Sequence, residues 1–117
     1  MRLHHVQVSC PPGGEDVARR FWADGLGLVE VAKPPVLAAR GGVWFRGPAV
    51  EVHVGVEEPF VPGGKAHPAF LVDDPDAVAA RLAALAYPVR WDDAYPGYRR
   101  FYTADGHGNR IELLAEG

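Results

Sequence analysis

Hydrophobic and polar residues alternate along much of this chain, and this period of two predicts β-strands. In the first such segment Val6 and Val8 share one face, which we expect to pack against a helix, while His5 and Gln7 share the other. Two segments around Gly41-Gly42 predict a hairpin or a bulged strand. The predicted strands are residues 2–9, 28–31, 36–40, 43–46, 49–56, 66–72, 89–91, 98–103 and 110–115.

Two segments instead have the apolar spacing of helices. The first, residues 15–24, has the stripe Val17, Ala18, Phe21 and Trp22, and Gly25 is a good C-terminal stop. The second has Val78, Leu82 and Leu85 on one face. We expect Asp74 to be its N-cap, with Pro75 in the first helical position, and Pro88 to stop it.

The order strand, helix, strand, strand, strand therefore occurs twice. His67 follows His5 by 62 positions, and Glu112 follows Glu51 by 61. The helix stripes repeat with the same offset of 61, which predicts a duplicated α+β unit. The modules would span about 1–56 and about 66–117, joined by a connector rich in Pro and Gly at about 57–65. The alternative is a generic α+β sandwich in which the spacing agrees by chance.

The composition is that of one globular domain. The chain has 117 residues, of which 48% are hydrophobic and 23% charged. A net charge of −3 without basic runs disfavours nucleic-acid and membrane partners. A single cysteine, Cys10, excludes an internal disulfide framework. No signal peptide or membrane span is evident, so we expect a cytoplasmic protein.

Two carboxylates lie among apolar neighbours on predicted strands. Glu51 is between Val50 and Val52, and Glu112 is between Ile111 and Leu113. Burying such a carboxylate is costly unless a cation, a basic partner or water satisfies it. With His5 and His67, the two carboxylates would make a ligand set suited to Zn, Fe, Ni, Co or Mn.

Other interpretations of these residues stay open. His53 shares the face of Glu51 and is a competing fourth ligand or an acid/base group. The two histidines could instead be core residues bonded to backbone carbonyls, and Glu112 could pair with Arg110 or Arg100. Trp44, Arg100 and Tyr102 lie on the third strands of the two halves, and Gln7 shares the His5 face. We take these last four residues as candidate substrate contacts.

The chain resembles the vicinal oxygen chelate superfamily, which includes glyoxalase I, bleomycin-resistance proteins, fosfomycin-resistance enzymes and type I extradiol dioxygenases. The resemblance covers essentially the whole chain and depends on four segments. They are Leu3-His4-His5-Val6-Gln7-Val8, Phe21-Trp22-Ala23-Asp24-Gly25-Leu26-Gly27-Leu28, Lys65-Ala66-His67-Pro68-Ala69-Phe70 and Asp105-Gly106-His107-Gly108-Asn109-Arg110-Ile111-Glu112-Leu113. One departure is Gly106-His107, where the family commonly has a proline and an aromatic or other apolar residue.

This resemblance implies two βαβββ modules whose strands curl into a mixed-sheet cup with helices outside. It implies metal ligands at His5, Glu51, His67 and Glu112. The expected function is that of a divalent-metal-dependent enzyme acting on a small oxygen-rich metabolite through metal chelation and an enediolate-type intermediate. Glu51 or Glu112 would be the general base, with His53 in reserve.

Lyase or isomerase chemistry fits this short chain better than dioxygenation. The alternative is a metal-free protein that sequesters a drug or metabolite, as bleomycin-resistance proteins do. The resemblance also implies a homodimer.

Overall fold

The computed structural model describes all residues from 1 to 117 and contains two compact units, Met1–Pro62 and Gly63–Gly117. Their boundary lies in the segment predicted as the connector. Each unit contains a strand, a helix and three further strands, so the predicted pair of βαβββ modules is confirmed. No helix is long and apolar enough to cross a membrane.

The first module forms a mixed sheet of four strands in the order β1-β4-β3-β2, with β1 parallel to β4. One face of this sheet buries Phe45, Val52 and Val54, and the helix buries Phe21 and Trp22. The elements are β1 Val6–Cys10, α1 Glu15–Arg19 continuing as a π-helical turn Arg20–Gly25, β2 Val29–Val31, α2 Pro35–Ala38, β3 Val43–Gly47 and β4 Val50–Val56.

The second module repeats this arrangement in the order β5-β8-β7-β6, with β5 parallel to β8. Leu82 of its helix is buried, as are Phe101, Ile111 and Leu113 on one face of the sheet. The expected N-cap is confirmed, because Asp74 Oδ1 accepts a hydrogen bond from the backbone N–H of Ala77. The elements are β5 Ala69–Leu71, α3 Pro75–Ala84, β6 Arg90–Asp92, β7 Tyr98–Ala104 and β8 Arg110–Glu116.

Two predictions of local structure were wrong. The segment 36–40, predicted as a strand, forms the short helix α2 instead. Pro35 occupies its first turn, where the fixed φ of proline favours a helix. The strands β1 and β5 also begin later than predicted, so that His5 and His67 each precede a strand. In β5 the cause is Pro68, which has no N–H to donate to the sheet.

A buried carboxylate closes the turn between β7 and β8. The side chain of Asp105 accepts hydrogen bonds from the N–H of His107 and from both the N–H and the side-chain amide of Asn109. The N–H of Gly108 donates to the Asp105 carbonyl at 3.0 Å. The predicted turn is therefore confirmed despite the unusual Gly106-His107 pair, and it sets where β8 begins.

Candidate functional site

A buried carboxylate and an imidazole face each other in the second module. Glu112 Oε1 lies 2.7 Å from His67 Nε2, and the Glu112 side chain is 6% exposed. The other ring nitrogen of His67, Nδ1, lies 2.9 Å from the carbonyl oxygen of Lys65. A carbonyl can only accept, so Nδ1 donates its proton in this bond, and the contact of Nε2 with Glu112 Oε1 needs a second proton held between those two atoms.

Glu112 also has an arginine partner, as one of the alternative interpretations proposed. Arg100 Nη1 donates to Glu112 Oε2 at 3.2 Å, while the rest of the same guanidinium binds Asp92 at 2.8 and 3.1 Å. The pKa of Asp92 is lowered, first by the N–H of Ala94 and then by Arg100. The rings of Tyr102 and His67 meet in a T-shaped contact, with the ring centroids 5.5 Å apart and an interplanar angle of 74°. These contacts bring together the predicted site residues of this module.

Three aromatic rings stack in the first module. The imidazole of His53 lies between His5 and Trp44, with centroid distances of 3.8 Å on both sides and interplanar angles of 17° and 3°. His53 is buried, whereas His5 is exposed and contacts His4 through the Nδ1 atoms at 2.9 Å. The stack fixes the orientation of the His53 ring.

Glu51 binds to the edge of this stack. Its Oε2 lies 2.8 Å from His53 Nε2, and its Oε1 accepts from Arg46 Nε at 2.9 Å. These hydrogen bonds, that of His53 first, lower the pKa of Glu51. The pKa of His53 is lowered because burial disfavours the imidazolium, and the bond to Glu51 only partly opposes this effect. The preferred state is therefore a carboxylate beside a neutral imidazole.

The registers of the two sheets reveal which residues occupy equivalent places. In the first sheet Gln7 pairs with His53, which pairs with Trp44. In the second sheet Ala69 pairs with Glu112, which pairs with Tyr102. If His67 corresponds to His5, then Ala69 corresponds to Gln7, and Glu112 corresponds to His53 rather than to Glu51. The sequence offset of 61 had instead suggested that Glu112 corresponds to Glu51.

Gln7 is exposed on the same face as His53 and Glu51. Gly55 leaves room for its amide, because a Cβ at residue 55 would lie 2.7 Å from Gln7 Nε2. The structure contains no group of three or more His, Cys, Asp or Glu side chains arranged to hold a metal ion. What each module does provide is an imidazole next to a carboxylate.

Sequence reasoning did not predict that Asp92 would bind Arg100 or that the Lys65 carbonyl would bind His67. Asp92 alternates with Arg90 on a short strand, and that alternation is the one signal that places it on the Arg100 face. The Lys65 carbonyl has no signal in the sequence, because every residue has a carbonyl.

Solved structures resemble this chain over its whole length. A glyoxalase family protein from Bacillus anthracis is 41% identical, covers 100% of both chains and has a TM-score of 0.92. An antibiotic binding protein from Streptomyces sp. CB03234 is 25% identical, covers 100% of this chain and 99% of its own, and has a TM-score of 0.74. A mutant of a fosfomycin resistance protein from Listeria monocytogenes, complexed with Mn(II) and a dihydroxypropylphosphonic acid, is 17% identical. It covers 99% of this chain and 92% of its own, with a TM-score of 0.80, and shows the fold alone.

No family model and no curated protein matches the sequence. The full-length identity with the Bacillus protein is nevertheless decisive for the family. The two βαβββ modules and their paired registers agree with it. This chain belongs to the glyoxalase family of the vicinal oxygen chelate superfamily.

Proposed function

We propose that this protein is a divalent-metal-dependent enzyme that acts on a small oxygen-rich metabolite. The main support is the His67–Glu112 pair, in which a buried carboxylate and an imidazole nitrogen lie 2.7 Å apart. The Lys65 carbonyl holds the opposite ring nitrogen, as expected of a histidine whose Nε2 is a metal ligand. A related fold has been solved with Mn(II), which agrees with the proposal.

The donor set fits a divalent ion of the first transition series. His5, His67 and Glu112 would supply two imidazoles and a carboxylate, and Glu51 or His53 would be the fourth ligand. Such N and O donors suit Zn, Fe, Ni, Co or Mn, among which the donor types alone do not select. Each module would supply two of the four ligands. The two modules could belong to one chain or to two copies in a homodimer.

The strand registers favour His53 over Glu51 as the fourth ligand. His53 is the counterpart of Glu112 in the paired sheets, because each lies next to the first strand of its module at the equivalent register position. Glu51 then takes the role of an orienting carboxylate, because it already binds His53 Nε2 at 2.8 Å.

The residues next to the ligands could move a proton. When bound, the metal would act as a Lewis acid for two vicinal substrate oxygens and favour an enediolate-type product of deprotonation. Glu51 is ionised, because its pKa is lowered by His53 and Arg46, and its carboxylate could accept a proton from substrate carbon. Gln7 and Trp44 lie beside this group and would contact the substrate. A proton transfer of this kind belongs to lyase or isomerase chemistry, which we therefore propose in preference to dioxygenation.

Metal content tests the proposal directly. Protein purified without a chelating tag would be soaked with each metal, dialysed and measured by elemental analysis. We expect about one equivalent per chain in the native protein and a large loss in His67→Ala and Glu112→Gln, since losing a ligand weakens metal binding. His107→Ala is the matched control, because His107 lies in the turn between β7 and β8. Less than about a tenth of an equivalent after soaking would reject the metal enzyme.

A second candidate function is metal-free binding of a drug or metabolite. It is favoured by the arginines that already satisfy both carboxylates, Arg46 at Glu51 and Arg100 at Glu112. The 25% identical Streptomyces relative is an antibiotic binding protein. Saturable binding of a small molecule that is equal with and without a chelator would support this candidate over the enzyme.

A further inference from the structure

Three arginines surround the ring of Tyr102 in the second module. The guanidinium carbons of Arg90, Arg100 and Arg110 lie 5.4, 5.2 and 5.5 Å from the centroid of this ring. Arg90 is directly opposite Tyr102 on β6, and Arg110 is two residues from Glu112 on β8. Alternation along each strand places all these side chains on one face of the sheet. This face also bears the His67–Glu112 pair.

The three arginines differ in their acidic partners. Arg100 is committed to Asp92 and Glu112 through hydrogen bonds of 2.8 to 3.2 Å. Neither Arg90 nor Arg110 makes an ion pair or a side-chain hydrogen bond, and the ring of Tyr102 is their shared contact. Of the nearby carboxylates, Glu112 is further occupied by His67. Arg90 lies close enough to Asp92 to affect its pKa, but neither Arg90 nor Arg110 is held by a carboxylate, so their guanidinium N–H donors stay available.

Arg90 and Arg110 reach the ring from opposite sides. Their strands lie on either side of β7, and are thus separated by two strand spacings, or about 10 Å. An arginine side chain is long enough to span half of this distance, and both guanidiniums are within 5.5 Å of the ring centroid. The ring supports each guanidinium without neutralising it, because a cation–π contact leaves the N–H donors available.

We infer that Arg90 and Arg110, held over Tyr102, form a binding site for the oxyanion of the substrate. Guanidiniums are well suited to this task, since their fixed fork of donors matches carboxylate and phosphate oxygens. The inference rests on the proposed function in one respect: the anion bound here would be part of the substrate of that enzyme. It adds that the substrate has a carboxylate, phosphate or phosphonate group in addition to the oxygens that would bind the metal.

The test uses metal-free protein, so that it is independent of the metal proposal. The arginine Nε–H resonances would be followed by ¹H–¹⁵N NMR during titration with methylphosphonate, with acetate and with uncharged dimethyl methylphosphonate. We expect an anion to shift the resonances of Arg90 and Arg110 saturably and the neutral ester to shift neither. A response to methylphosphonate alone would identify a tetrahedral oxyanion, and a response to acetate alone a carboxylate.

Substitutions identify the residues responsible. Arg90→Gln and Arg110→Gln should each weaken anion binding by about tenfold, as expected for a charged hydrogen-bonding partner. Arg40→Gln removes the same charge from an exposed site in the first module and should leave binding unchanged. Equal weakening by all three variants, or no response of Arg90 and Arg110 to either anion, would overturn the inference. Anion binding in a protein that takes up no metal would support this site while rejecting the proposed enzyme.

Discussion

Replacing Asp105 by alanine is expected to destabilise the protein by about 3 kcal/mol. The side chain is buried and accepts three hydrogen bonds, at 3.0 Å from the N–H of His107 and at 2.9 Å from each of two donors of Asn109. A hydrogen bond to a charged group contributes about 1.5–3 kcal/mol, and a buried donor left unpaired costs about 1–3 kcal/mol. The three hydrogen bonds do not add in full, because two of the donors share Oδ1 and the N–H of His107 can regain contact with water.

Urea unfolding followed by circular dichroism measures this loss. With a slope of about 1.5 kcal/mol per molar urea, the midpoint should fall by about 2 M. The melting temperature should fall by about 12 °C. Asp105→Asn should lie between the native protein and the alanine variant, since its carbonyl oxygen still accepts but its amide opposes that of Asn109. Asp93 is exposed, and Asp93→Ala should change stability by less than about 0.5 kcal/mol. A loss in Asp105→Ala no greater than that of Asp93→Ala would refute the assignment of the turn to this carboxylate.

Three further predictions concern ligand choice, helix capping and pH. His53→Asn should lower metal content more than Glu51→Gln, and the opposite ranking by elemental analysis would make Glu51 the fourth ligand. Asp74→Ala should cost about 1 kcal/mol in urea unfolding because α3 loses its N-cap bond, and an unchanged midpoint would contradict this. The N–H of Gly42 lowers the pKa of Glu15 below its ordinary 4.5, so the folded protein favours the carboxylate. This contribution to stability is present above the unfolded pKa of 4.5 and is lost as pH falls through the lower folded pKa. Urea midpoints of Glu15→Gln should therefore depend less on pH in acid than those of the native protein.

The sequence predicted more of the fold than of the site. Alternation of Val52 and Val54 with Glu51 and His53 correctly assigned the faces of β4, because side chains on a strand alternate whatever the rest of the protein does. The Asp74-Pro75 signal correctly located the start of α3. The segment 36–40 was misjudged because proline at the start of a helical turn outweighed the apolar pattern.

The alternation of residues along the sequence could not predict which side chains lie opposite one another across a sheet. Period-two alternation states which face a residue occupies, but which residue lies opposite depends on hydrogen bonding between strands far apart in the chain. The pairing of Glu112 with Arg100 rather than Arg110 was therefore left open by the sequence. The sequence also could not predict that His53 corresponds to Glu112. A small difference in strand register would make Glu51 the counterpart instead.

The amino-acid pattern alone was enough to establish the duplicated βαβββ order, the faces of strands such as β4 and the residue types available for chemistry. These features follow from local propensity and alternation. The three-dimensional fold was needed to show that His53 is stacked between His5 and Trp44, and that Arg90 and Arg110 share the ring of Tyr102 without an ion pair. Such contacts arise when strands distant in sequence are brought into one register, and pairing of backbone hydrogen bonds fixes that register.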